Sequence, residues 1–149
     1  MDELNDLYQD IILSHNKRPR NSGNLDPCSH KADGFNPLCG DKLTVFLRKP
    51  GESIEEVTCQ TEGCAISRAS GSIMTTMVKG KTAQEVEEII TGIKELLSGE
   101  EEPEVDLAKQ GDLAALVGVR KFPPRVKCAT LAWHALESAL HGDDATTTE

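Results

Sequence analysis

The sequence predicts an α+β domain in which a small three-stranded antiparallel sheet packs against several helices. Three observations point there: helical spacing of apolar residues at the N-terminus, two period-two segments joined by a Pro-Gly turn, and a capping box that opens a helical second half. At 149 residues the chain can bury one core but is short for two. Residues 1–141 therefore read as one domain, and the small, polar residues 142–149 as a disordered tail.

Each element follows from a local signal. Leu4, Leu7, Tyr8, Ile11 and Ile12 share a helical face, and Pro19 ends that helix by disfavouring helical backbone in the residue before it. Residues 18–24 form a basic turn, 25–33 a polar edge strand, and 34–40 a loop punctuated by Pro37 and Gly40. Leu43, Val45 and Leu47 alternate with their neighbours as a strand does. The Lys49-Pro50-Gly51-Glu52 turn leads into a second strand over 54–60, so the two make a hairpin. Gly63 releases the chain into a helix over 64–78, where Ala65, Ala69, Ser70 and Gly71 are small enough to let it lie close to a sheet. Thr82 with Glu85 three residues on is a capping box for a helix reaching Ser98. An acidic linker over 100–104 and a short helix over 107–116 follow. Pro123 and Pro124 then stop the chain before a last helix over 125–140.

Composition excludes several functions. A net charge of −9 disfavours nucleic acid and anionic membranes as partners, and with 3% aromatic residues there are few rings to stack on bases. No segment approaches the roughly 20 apolar residues of a membrane span. The acidic opening MDELNDLYQD lacks the basic-then-apolar order of a secretory signal. The expectation is a cytoplasmic protein whose five cysteines are reduced, and cysteines in that setting point to metal or sulfur chemistry.

Four residues carry that chemistry. Cys39 and Asp41 flank Gly40 in NPLCGD, Cys64 follows Gly63, and Cys128 ends PPRVKC. Each stands where one element gives way to the next. A fold that joins these breakpoints presents three thiols and a carboxylate to one point, a set suited to a metal that can also be given up. Cys64 and Cys128 stand at predicted helix N-termini, where partial positive charge favours thiolates. Three thiolates and one carboxylate carry four negative charges, so a divalent ion would leave two, and Arg125 and Lys127 are placed to offset them.

Taken singly, a cysteine is more often a small buried apolar residue than a ligand. Cys59, in a strand, is read that way, and Cys28, in a polar segment, either approaches the site or is simply an exposed thiol. His15 is read as a surface or helix-end histidine. His134 falls off the face of Cys128, and Trp133 is a core or interface anchor.

The segments LYQDIILSHNKRPRN, NPLCGD, GCAISRASGSIM and RVKCATLAW together resemble the U-type scaffold family of iron–sulfur cluster assembly, which includes IscU, the N-terminal part of NifU, and SufU. The resemblance covers nearly the whole chain and implies that Cys39, Asp41, Cys64 and Cys128 meet at a zinc or cluster site. Lys127 stands where IscU-type members carry histidine, and residues 111–121 match an extra segment typical of SufU. The SufU branch implies a zinc-dependent sulfurtransferase that accepts persulfide sulfur from a SufS-type cysteine desulfurase, with Cys39 as the freed thiol. It further implies passage to downstream cluster-assembly or acceptor proteins. The alternatives are a non-enzymatic scaffold holding iron or a labile [2Fe-2S] cluster, and an adapter whose zinc is purely structural.

Overall fold

Alternation along three strands sets the geometry on which everything else is hung. The computed structural model describes residues 2–98, 111–143 and 145–147. The expected acidic linker and the start of the helix expected at 107 lie outside them. Strand β1 spans His30–Asn36, β2 Asp41–Arg48 and β3 Glu56–Glu62, all antiparallel. Ala32, Gly34 and Asn36 on β1, with Asp41, Leu43, Val45 and Leu47 on β2, occupy one buried face. Lys31, Asp33 and Lys42 take the other, where water satisfies their charges.

The first strand runs later than the sequence suggests. Expected over 25–33, it extends to Asn36 because Asn36 pairs directly with Asp41 across the hairpin. The loop expected over 34–40 is thus reduced to Pro37–Gly40, closed by Gly40 at a φ of +73°, a left-handed conformation that glycine adopts without steric cost. The sheet also has four strands rather than three. Ala145–Thr147, in the tail expected to be disordered, form β4, which pairs parallel with β1 to give the order β3-β2-β1-β4. Unpaired N–H and C=O groups on the β1 edge provide the physical reason, and β-branched threonines suit an extended partner.

Helices α1 (Asp2–Lys17), α2 (Ala65–Val78), α3 (Ala83–Ser98) and α4 (Pro123–Leu140) complete the domain, with a 3-10 segment at Gly111–Lys121. Pro123 and Pro124 occupy the first positions of α4 instead of halting the chain before it. The first-turn N–H groups have no partner inside a helix, so prolines are tolerated there. The predicted capping box is present: Thr82 N–H donates to Glu85 Oε1 and Glu85 N–H to Thr82 Oγ1. Among the described residues no helix is long and apolar enough to cross a membrane.

Helix α2 lies at the centre, buried on almost every side, and its small residues explain how. A Cβ on Gly71 would come within 2.9 Å of Cys59 Sγ, so only glycine lets α2 rest this close to β3. Several of its hydroxyls find partners. Ser70 donates to the Ala129 carbonyl and accepts from the Trp133 indole N–H, while Thr75 donates to the Ser72 carbonyl. Trp133 is fully buried, as expected of an anchor.

His15, read as a surface or helix-end histidine, does stand in the last turn of α1 but not at the surface. It is 2% exposed, with Nδ1 2.7 Å from Ser72 Oγ and Nε2 2.6 Å from Asp112 Oδ2. One imidazole therefore ties α1, α2 and the 3-10 segment together. Asp112 lies 97 positions away in sequence, so no local pattern could reveal the pairing. His15→Ala is expected to cost about 2–4 kcal/mol, since it opens a cavity and strips both hydrogen bonds. The denaturant midpoint of the variant checks this, and Asp112→Ala, at a half-exposed side chain, should cost less.

Candidate metal centre

One end of the sheet collects the residues singled out above. The β1–β2 hairpin presents Asn36, the Cys39 loop and Asp41. The end of β3 delivers Gly63 and Cys64 to the start of α2, and α4 brings Cys128 beneath them. Sγ of Cys39, a carboxylate oxygen of Asp41 and Sγ of Cys128 all lie within 4.8 Å of one another. Cys64 Sγ lies 3.9 Å from Asp41 Oδ2, on the border of this group. The thiols differ sharply in access: Cys39 is exposed, Cys64 intermediate and Cys128 buried.

Asp41 is the hub. Its carboxylate accepts the Cys64 backbone N–H at 2.9 Å on Oδ1 and the Asn36 amide at 3.1 Å on Oδ2. Gly63 makes this approach possible, because a Cβ there would stand 2.5 Å from Asp41 Oδ1. Cys64 caps α2 rather than opening it, and its Sγ accepts the Ser67 N–H at 3.4 Å. The N-terminal N–H groups of α2 are thus turned toward the cluster, as expected.

Cys128 lies in the second turn of α4, not the first. The expected preference for its thiolate is reversed: burial first, then hydrogen bonding with Asp41, Cys39 and Cys64, pushes the Cys128 thiol up. Metal binding, which takes up the thiolate form, would work against this upward shift. The Arg125 guanidinium lies against Cys128, and the hydrogen bond it donates to that sulfur, ahead of the charges of Cys64, Cys128 and Cys39, raises its pKa. Lys127 is exposed and makes no ion pair among the described residues. Arg125 is therefore the basic residue that faces the cluster.

Cys59 stands apart as expected, in the core behind α2. Burial pushes its thiol up to about 11 from 9.0, against a smaller downward pull from the Thr61 hydroxyl. A raised folded-state pKa stabilises the fold below the unfolded value, and that contribution is lost as pH rises between the two. The fold should lose about 2–3 kcal/mol from this group between roughly pH 9 and 11. The urea midpoint should fall across that window, and fall less in Cys59→Ala.

The residues fit a metal. Donor atoms around one ion at bond lengths of about 2.0–2.3 Å sit roughly 3.3–3.8 Å apart in a tetrahedron, so the 4.8 Å envelope needs to close by only about 1 Å. Sequence reasoning missed two contributors, Asn36 and Gly63. Asn36 opens the very motif that carries Cys39 and Asp41, and its pairing opposite Asp41 is the signal that would have exposed it.

Comparison with known proteins bears on the same residues. The family model described as the NifU-like N terminal domain matches residues 7–129. The zinc-dependent sulfurtransferase SufU of Bacillus subtilis is 41% identical over 138 residues, covering 92% of this chain and 91% of that protein. The iron–sulfur cluster assembly scaffold protein IscU of Streptococcus pyogenes is 37% identical, covering 94% and 86%. A crystal structure of a candidate iron–sulfur cluster assembly scaffold protein for the SUF system from Fervidobacterium islandicum superposes with a TM-score of 0.80 at 32% identity, covering 88% and 94%.

Proposed function

The chain belongs to the NifU-like N-terminal domain family, and on that footing we propose that it serves iron–sulfur cluster assembly as a zinc-dependent acceptor of persulfide sulfur. The donor is a SufS-type cysteine desulfurase, and Cys39, Asp41, Cys64 and Cys128 hold the zinc. The observation that carries this reading is the unequal exposure of three clustered thiols. Cys39 is close enough to Asp41 and Cys128 to share an ion with them, yet lies open on a four-residue loop.

Bound zinc supplies a Lewis-acidic anchor that keeps the thiols ionised at neutral pH. The chain's own residues do the rest. Cys128, buried on α4, and Cys64, fixed at the α2 cap, form the rigid side of the site. Cys39, on the Gly40-hinged loop, is the thiol free to turn outward. Its thiolate attacks the outer sulfur of the desulfurase persulfide. The S–S bond breaks, the desulfurase cysteine leaves as thiolate, and Cys39 carries the transferred sulfur with no net oxidation. Arg125 lies where it can stabilise the extra negative charge.

Alanine release from cysteine by a SufS-type desulfurase, with and without the zinc-loaded protein, tests the proposal. Acceleration is the expected outcome. No acceleration with a cognate desulfurase would transfer the assignment to a scaffold for a labile [2Fe-2S] cluster or iron, a role that the similarity to IscU favours and the same four residues would fill.

A further inference from the structure

Asn36 is fully buried at the end of β1 and donates from the same amide nitrogen to both kinds of ligand. Its Nδ2 lies 3.1 Å from Asp41 Oδ2 and 3.5 Å from Cys128 Sγ. Its carbonyl oxygen, Oδ1, has no hydrogen-bond partner among the described residues. A buried polar atom left unpaired costs about 1–3 kcal/mol, so this side chain is a poor way to stabilise a strand end. The opposite orientation of the amide would set Oδ1 against the Asp41 carboxylate. Donation to the Asp41 carboxylate and the Cys128 sulfur together is the arrangement that gives this orientation a purpose.

We propose that Asn36 is a positioning residue of the metal centre: its two N–H bonds hold the Asp41 carboxylate and the Cys128 sulfur where both would ligate the ion. The inference rests on the zinc-centre reading and adds to it a residue that itself binds no metal. The hairpin explains how one side chain can reach both. Direct pairing of Asn36 with Asp41 sets the two on the same sheet face, and α4 packs Cys128 against that face. A donated hydrogen bond also withdraws electron density from a thiolate sulfur. Asn36 therefore tunes the Cys128–metal bond as well as aiming it.

Two full-length variants test this, Asn36→Asp, which keeps the shape and loses the donors, and Asn36→Ala, which loses them without adding charge. Zinc affinity, read by competition with a chromophoric chelator, should fall about 10–100-fold in either variant. In the cobalt-substituted protein, the thiolate-to-metal charge-transfer band should move to longer wavelength, since a sulfur without its hydrogen bond gives up an electron more readily. A purely structural role would not move that band. Affinity within about twofold of the parent and an unmoved band in whichever variant folds would overturn the proposal. A parent protein that shows no thiolate-to-cobalt band at all would instead overturn the metal-centre reading, and Asn36's role with it.

Discussion

Replacing Cys39 with alanine is expected to return desulfurase turnover to its unassisted rate, within about twofold, while the protein stays folded. The asymmetry of the cluster underlies both halves of that statement. Cys39 is exposed on the Pro37–Gly40 loop, so its loss leaves no cavity in the core. Asp41, Cys64 and Cys128 would remain to hold zinc, more weakly. Alanine-release kinetics with the variant, alongside its zinc content, check the expectation. An adapter with structural zinc makes a different prediction: every ligand variant would unfold, and none would lose transfer selectively. Full acceleration by a zinc-loaded Cys39→Ala protein would remove Cys39 from the acceptor role.

Gly63→Ala should be nearly as damaging, although it removes no functional group. The new Cβ would stand 2.5 Å from Asp41 Oδ1 and 3.1 Å from the Asp41 Cα, so the neighbour that must yield includes backbone. Overpacking of this kind costs about 1–3 kcal/mol. The larger effect is on the site. A displaced Asp41 loses the Cys64 N–H and the Asn36 amide together, and zinc affinity should fall at least about tenfold. Chelator competition and the urea midpoint separate the two effects. Gly51→Ala makes the control: nothing lies within 4 Å of its Cβ, and its turn stands at the opposite end of β2 from Asp41.

Why some of this was legible in sequence and some not follows from the range of the interactions. Period-two alternation located β2 and β3 to within a few residues, because it reports which side chains face the core. The end of β1 was misplaced because Asn36 and Asp41 look like loop residues, yet they are buried where the sheet meets the cluster. The capping box at Thr82 was readable since both partners lie within one turn. The His15 tie was not, since its partners come from α2 and a 3-10 segment far along the chain. Residue types announced sulfur and oxygen donors. Only the fold could show that Cys128 is sealed and Cys39 open, and that Arg125 rather than Lys127 faces them.

The parallel strand at Ala145–Thr147 has a practical consequence for handling the protein. Thr147 pairs with Phe35, the neighbour of Asn36, so these last described residues shield the open margin of the sheet beside the hairpin that carries the donor loop. A purification tag or fluorescent fusion grafted there would compete with that pairing and risk baring a template for intermolecular strand addition. Labels belong away from this strand if preparations are to stay monodisperse and sulfur-transfer assays are to report on the native loop.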